Sequence, residues 1–313
     1  MFNEVLKKIS DKHKILILTH INPDGDALGS ATAFKFLIER AGKEAVVLLE
    51  KELPESLKIF GDNFSYENTD FSYDLVVALD TGDIDRLGSL KKYFKGDSLN
   101  IDHHKSNTLF ADVNFVDPSS SATGEIVARL SEAMNIVPDN LMASALYGAI
   151  LTDTGGFMFS NTTEETHKLA GKLISLGADF YNLNKKLMLE KDYKRQLLTA
   201  KCIENMEFFE DGKISVITIS NEYANKFDIK EEDLNGLAQV PRTVSGVEVG
   251  VLISEVNKGT VKVSLRSDEY VDVSKIAEKF GGGGHIRASG IRISDGDIKK
   301  IKEDILKEIT KEL

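Results

Sequence analysis

The chain has 313 residues, 42% of them apolar, and a formal net charge of -11, which is enough sequence to bury a substantial core in about two domains. Its single cysteine, Cys202, excludes an intrachain disulfide framework and a thiolate zinc cluster, and apolar runs such as ILILT and LVVAL are far too short to span a bilayer. The acidity is uneven: residues 1–211 hold 33 Asp and Glu against 23 Lys and Arg, and residues 212–313 hold 17 against 16. No basic stripe is evident, so small anionic ligands are expected as partners, with no long nucleic acid and no membrane.

The N-terminal MFNEVLKKISDKHK lacks the apolar core of a signal peptide, and a soluble cytoplasmic protein is expected. KILILTH then reads as a strand ending in a polar loop, and GSATAFKFLIERAG as a helix closed by Gly42. EAVVLLE, YDLVVALD and SLNIDHH read as further short, almost continuously apolar strands. Such strands separated by helices predict a parallel sheet covered on both faces. ATGEIVARLSEAMN is a predicted helix, and NLMASALYGAILTDTGGF carries apolar residues at helical spacing up to Thr152, Asp153 and two glycines. The expected first domain covers residues 1–188.

Residues 189–211 are polar, helix-prone and free of Pro and Gly, which predicts a helical linker. In the expected second domain, 212–313, GKISVITIS, VEVGVLISEV and TVKVSLRS read as strands and VDVSKIAEKF as a helix. GGGGHIRASG, the strand IRIS and a terminal helix from Asp297 follow. The predicted class is α/β: a parallel-sheet N-terminal domain and a smaller mixed α/β C-terminal domain.

Four element ends in the first domain deliver acids and imidazoles. THINPDGDALGS supplies His20, Asp24 and Asp26; VVALDTGD supplies Asp80; IDHH supplies Asp102, His103 and His104; AILTDTGG supplies Asp153. Open parallel sheets gather ligands at the carboxyl ends of their strands, so these groups can converge across long sequence separations. Clustered carboxylates raise one another's pKa unless cations compensate. Two divalent ions would balance Asp24, Asp26, Asp80 and Asp153 with His20 and His103 neutral. Carboxylate and imidazole ligands without thiolate suit Mn, Fe or Zn better than Ca. The spacing lets His20 and Asp24 face one ion and Asp26 another, with Asp80 shared. Thr154 and Ser30 beside these motifs read as capping or supporting residues.

In this order HINPDGDALGS, ALDTGD, IDHHKSN and LTDTGGF resemble the successive motifs of the DHH phosphoesterases, and GGGGHIRASG is similar to the glycine-rich signature of their associated substrate-binding domain. The resemblance runs from about His20 to about Gly290, and its nearest form is the short bacterial nanoRNases. It implies hydrolysis of oligoribonucleotides of about two to five residues, phosphatase action on 3'-phosphoadenosine 5'-phosphate, and two Mn2+ ions, with Mg2+, Fe2+ or Co2+ as substitutes. On the same resemblance His20, Asp24 and Asp80 hold one ion, and Asp26, Asp80, His103 and Asp153 the other. His104 then faces the phosphate, and Asp102 orients a metal-binding imidazole.

In the second domain Gly281 to Gly284 are expected to expose backbone N–H groups in an anion-binding turn, with Gly282, Gly283, Gly284 and His285 as substrate-binding residues. Arg266 at the end of VKVSLR is placed to clamp a terminal phosphate. The tract fits neither the dinucleotide fingerprint nor the P-loop, because Arg287 stands where the last glycine belongs. Arg287 and Arg292 read equally as surface charges or as further anion ligands, His13 and His167 as surface residues, and Arg86 as a surface ion pair or a phosphate ligand. Phe157 and Phe159 read equally as core packing or as a stacking surface for a base. Rival readings are a pyrophosphatase with the same metal ligands, a cyclic di-AMP or linear pApA phosphodiesterase, a single-strand exonuclease and a non-catalytic nucleotide sensor. A sheet edge in the first domain offers a route to a homodimer.

Overall fold

The computed structural model describes residues 2–62, 64–191, 193–234 and 236–313, without the side chains of residues 231 and 232. The chain divides into two compact units, Met1–Glu190 and Lys191–Leu313.

In the first unit six parallel strands lie in the order 3-2-1-4-5-6: β1 (Lys14–Leu18), β2 (Glu44–Leu49), β3 (Ser65–Tyr66), β4 (Leu75–Leu79), β5 (Ser98–Asp102) and β6 (Val113–Val116). Alternate residues of the central strands face opposite layers, as the two-residue period of a strand requires. Ile15, Ile17, Val77 and Ile101 pack under the helices, and Leu16, Leu18, Val76 and Ala78 pack on the other face with Leu87 and Leu90. The predicted parallel sheet, covered on both sides, is therefore present. Strand order reverses between β1 and β4, and a ligand crevice opens at such a switch point beyond the carboxyl ends of the strands.

Among the described residues the α-helices of this unit are α1 (Asn3–Ser10), α2 (Gly25–Arg40), α3 (Thr123–Ala133), α4 (Asn140–Asp153), α5 (Glu164–Ser175) and the single turn α6 (Phe180–Leu183). Asp24 starts α2 by accepting the Ala27 N–H at 3.0 Å, and Asp139 starts α4 by accepting that of Met142 at 3.0 Å; both are strong N-cap residues. The start of α2 lies against the end of α4 because glycines leave room. A Cβ on Gly25 would come within 2.4 Å of Thr152, and one on Gly29 within 2.5 Å of the Ala145 carbonyl. Asp26 and Asp153 thus belong to one packed pair of helix ends.

The segment read as a linker resolves differently. The helix α7 (Tyr193–Glu204) belongs to the second unit, where Leu198 and Cys202 are buried with Ile217, Ile219 and Leu252. Residues 207–209, read as its helical end, form the edge strand β7 (Glu207–Phe209). The second sheet continues with β8 (Ile214–Ile219), β9 (Val249–Ser254), β10 (Thr260–Ser267), β11 (Gly283–His285) and β12 (Ala288–Ser294), in the order 11-12-10-9-8-7. It is mixed: β8 and β9 run parallel and the other pairs antiparallel. The short α8 (Asn221–Lys226) follows β8, and α9 (Val273–Lys279) and α10 (Ile298–Thr310) cover one face through Ile276, Ala277, Ile301, Ile305 and Ile309.

The glycine tract is where fold and expectation part. Gly283 and Gly284 are not in a turn but in β11, paired with Gly290 and Ser289 of β12. The N–H groups of Gly281 and Gly282 donate to Glu278 O and Ala277 O at 3.1 and 2.9 Å, closing α9. Those two donors are spent on the unpaired carbonyls of a helix end. A Cβ on Gly282 would meet Gly290 O at 2.2 Å, so glycine is needed there for close strand approach.

Candidate metal centre

His20 leaves the end of β1, and its Nδ1 donates to the Ile21 carbonyl at 2.8 Å. That bond puts the hydrogen on Nδ1 and turns the Nε2 lone pair inward, 4.0 Å from Asp24 Oδ1 and 3.8 Å from Asp80 Oδ2. Asp80 follows β4 in the left-handed region with φ of 53° and is 2% exposed. Its other oxygen, Oδ1, accepts from Thr123 Oγ1 at 3.0 Å and lies 3.7 Å from His103 Nε2. One carboxylate therefore faces an imidazole on each side.

His103 Nε2 also lies 3.9 Å from Asp26 Oδ2 and 3.6 Å from Asp153 Oδ2. Its Nδ1 donates to Ser120 O at 3.2 Å. Ser120 is held in turn by its hydroxyl on Asp117 Oδ2 at 2.9 Å, and Arg129 pairs with Asp117 at 2.7 Å. Asp26 is fixed from three directions: Thr123 N–H at 2.7 Å, Gly124 N–H at 2.9 Å and Ser30 Oγ at 2.8 Å. The first two are unpaired donors at the start of α3, where a negative charge is favoured. Asn161 Nδ2 donates to Asp153 Oδ2 at 3.3 Å.

His20, Asp24 and Asp80 form one compact donor group, Asp26, His103 and Asp153 a second, and Asp80, His103 and His104 a third. All six metal-ligand candidates read from the sequence fall within these groups. Their mutual separations of 3.6–4.0 Å are too long for hydrogen bonds. They suit donors arranged around ions with bonds of about 2.0–2.2 Å.

The electrostatics point the same way. Burial, then Asp80 and Asp153, hold the Asp26 carboxyl well above the usual range. Burial, then Asp24, Asp102 and Asp153, do the same to Asp80, and burial raises Asp153. Burial pushes His20 down, toward the neutral form that ligates. Among the described residues no Lys or Arg pairs with Asp24, Asp26, Asp80 or Asp153. A buried acidic cluster without a counter-cation is costly, and divalent cations remove the cost. The donor set therefore fits metal.

His104 Nδ1 donates to Asp102 Oδ1 at 2.7 Å, and its side chain is 28% exposed. The Asp102 bond, outweighing burial, raises the imidazole's pKa. Burial works against ionisation of Asp102, but the His104 and Asn107 bonds, with Asn107 Nδ2 at 2.6 Å, hold its carboxyl below the usual range. Asp102 therefore orients His104, whereas His103, the imidazole among Asp26, Asp80 and Asp153, is oriented by Ser120. Arg86 is exposed, its carbonyl accepts the Ile21 N–H at 2.7 Å, and its positive charge acts on both His20 and His104. It forms no ion pair among the described residues, so the surface-pair reading does not hold.

In the second unit Arg266, Gly283 and His285 line a cleft of about 420 Å³, together with Ser264 and Lys262; Gly282 and Gly284 are not among its lining residues. Arg266 Nε is buried without a hydrogen-bond partner, and burial, then the nearby Arg242, lower the guanidinium's pKa. Arg242, which pairs with Asp268 at 2.6 Å, was not legible as part of this region. Nor were Ser120, Asp117, Arg129 and Asn161, all uncharged or charge-paired partners of site residues. The one sequence signal for such a residue is Asn107, three places after His104.

The N-terminal domain of the DHH family matches residues 14–150, and the DHHA1 domain matches residues 211–313. The chain is 30% identical over 313 residues to the bifunctional oligoribonuclease and PAP phosphatase NrnA of Thermus thermophilus, covering 99% of this chain and 93% of that protein. It is 27% identical to the cyclic-di-AMP phosphodiesterase GdpP of Geobacillus thermodenitrificans, with 96% of this chain matching 48% of that longer protein. The crystal structure of an exopolyphosphatase-related protein from Bacteroides fragilis superposes with a TM-score of 0.90 at 25% identity, covering 98% of this chain and 95% of that one. Two domains matched in order, a full-length relative and a cluster of metal donors at the strand ends lead to one conclusion: the chain belongs to the DHH family of phosphoesterases and is a hydrolase.

Proposed function

We propose that the protein hydrolyses short oligoribonucleotides and dinucleotides to nucleoside monophosphates and removes a phosphate from 3'-phosphoadenosine 5'-phosphate, with two Mn2+ ions. His20, Asp24 and Asp80 would hold one ion, and Asp26, Asp80, His103 and Asp153 the other. The observation that carries this reading is Asp80, whose two oxygens face His20 at 3.8 Å and His103 at 3.7 Å. The two activities named for the Thermus thermophilus relative support the substrate class.

When bound, the ions supply Lewis acidity toward the phosphoryl oxygens and lower the pKa of the attacking water. The chain itself sets the geometry. The start of α3 fixes Asp26, Ser120 aims His103, and the Ile21 carbonyl aims His20. His104, held at Nδ1 by Asp102, carries a proton at Nε2 in its charged form and can deliver it to the departing oxygen. Arg86 offers a positive charge to the phosphate beside the two histidines. In the second unit Arg266, with an unpartnered Nε, and His285 offer donors to a phosphate.

The test is Mn2+-dependent release of monophosphate from a labelled dinucleotide, pyrophosphate and a long single strand. The dinucleotide is expected to be cleaved fastest; equal or faster cleavage of the long strand overturns the substrate assignment. A second reading, hydrolysis of cyclic di-AMP or linear pApA, is favoured by the Geobacillus thermodenitrificans relative. Adding both compounds to the same assay separates it.

A further inference from the structure

The sequence leaves Phe157 and Phe159 equivalent; the structure separates them. Phe157 turns inward, stacked on His167 with ring centroids 5.3 Å apart and tilted against Tyr147 at 6.0 Å. Phe159 and its neighbour Met158 turn outward and are 50% and 79% exposed. They stand at the tip of a loop that leaves Asp153 and returns to it: Asn161 Nδ2 donates to Asp153 O at 3.2 Å and to its Oδ2 at 3.3 Å.

The loop is built to hold that tip. Gly155, Gly156 and Phe157 take φ of 56°, 73° and 66° in succession, a strained path for the phenylalanine. The Thr154 carbonyl accepts from both Met158 and Phe159 N–H at 3.0 Å, and Thr154 Oγ1 accepts from Phe157 N–H at 3.0 Å. A Cβ on Gly155 would come within 2.4 Å of the Phe159 ring. The ring is therefore braced on the Gly155 backbone, two residues from Asp153, with half its surface open to solvent. A large aromatic side chain left half in water on this hydrogen-bonded loop, beside a phosphoesterase centre, presents a flat apolar face of the kind on which a nucleobase stacks.

We propose that Phe159 is a nucleobase-stacking platform beside the metal centre, with Met158 along its edge, and that it holds the base of the nucleotide whose phosphate is attacked. The inference rests on the nucleotide substrate proposed above. Every base has a π face, so this contact accepts any sequence, as a scavenger of short fragments requires.

The test does not depend on turnover. 2-Aminopurine riboside 5'-monophosphate is titrated into wild-type protein and the variants Phe159→Ala, Phe159→Leu and Phe159→Trp, and quenching of its fluorescence is followed. Wild type and Phe159→Trp are expected to quench, with binding weakened about 5- to 100-fold in the alanine and leucine variants. Leucine keeps apolar bulk on Gly155 but has no ring, so it distinguishes stacking from packing. In turnover, Phe159→Ala is expected to raise KM for a dinucleotide by a similar factor while leaving an abasic ribose-phosphate dimer unaffected. Absence of quenching in wild type, or equal binding by the alanine and tryptophan variants, overturns the proposal. Quenching by a protein that cleaves no dinucleotide overturns the substrate assignment instead.

Discussion

The carboxylate centre of the first unit and the arginine-lined cleft of the second face the same kind of ligand from opposite sides of the charge balance. Asp26 and Asp80 are almost fully buried, carry no protein counter-cation among the described residues, and are pinned by helix N–H groups and a threonine hydroxyl. Arg266 and His285 line one cleft of the second, mixed sheet, and an arginine nitrogen there lacks a partner. The first region gathers negative charge and fits cations; the second gathers positive charge and, on the proposed function, takes an anion. On that reading catalysis needs the first to be rigid, whereas the second has only to bind.

That contrast is broken most severely at Asp80. Asp80→Asn removes the carboxylate that faces both His20 and His103, and activity is expected to fall by well over 100-fold. Even partners outside a metal's own ligands cost about 10- to 100-fold. Isothermal titration with Mn2+ should show the matching loss of affinity. The same substitution should raise the melting temperature of the metal-free protein, since it removes a buried charge repelled by Asp24, Asp102 and Asp153. A fall in metal-free stability would mean that Asp80 is structural before it is a ligand.

Metal removal tests the same repulsion through pH. Asp26, Asp80 and Asp153 have folded-state pKa values raised mainly by burial. The native protein then holds protons that the unfolded chain releases, at about pH 3.9 for Asp. Their stabilising protonation is fully present below that pH and is lost as pH rises through the folded values. Metal-free protein should therefore lose stability with rising pH, and the gap in melting temperature between Mn2+-loaded and metal-free samples should widen from acid to neutral pH. A constant gap would show that the acids are not strained without metal.

Asp102→Asn acts one step further from the ions. Asp102 raises the pKa of His104 through a 2.7 Å bond, so its removal lowers that value. Loss of the protonated imidazole as pH rises then begins at lower pH, and the basic limb of the kcat profile shifts toward acid. The expected loss at neutral pH is about 10- to 100-fold, with Mn2+ affinity little changed. If affinity falls instead, Asp102 serves the metal and not the leaving oxygen.

What the sequence made legible follows the physics of each region. The strands β1 and β4 are apolar runs that lead into His20 and Asp80, and β5, whose Leu99 and Ile101 alternate with Ser98, Asn100 and Asp102, leads into His103, so both the sheet and its ligands announce themselves. The supports of those ligands do not. Ser120 acts through a carbonyl, which any residue type has, and Thr123 and Gly124 act through backbone N–H groups. Asp102 holds His104, a partner two residues away, while His103 is held by the Ser120 carbonyl. The glycine tract misled because four glycines suggest a turn, whereas close packing against Gly290 and the end of α9 decide for a strand. Helix α7 read as a linker because its apolar face, Leu198 and Cys202, is narrow in a polar sequence.

The effect expected in the second unit falls on KM and spares kcat, and it sharpens the comparison there. Replacing Arg266 by Met removes charge from the cleft while keeping the chain's apolar bulk. A charged hydrogen bond is worth about 1.5–3 kcal/mol, so KM for a dinucleotide should rise about 10- to 100-fold with kcat nearly unchanged, the pattern of lost uniform binding. Burial and Arg242 already oppose the guanidinium's charge, and its Nε has no partner. Stability should therefore hold or improve slightly, as it does when a poorly satisfied buried charge gives way to apolar packing. A fall in kcat with KM unchanged would show that Arg266 acts on the transition state, and the division between a catalytic first unit and a binding second unit would have to be redrawn.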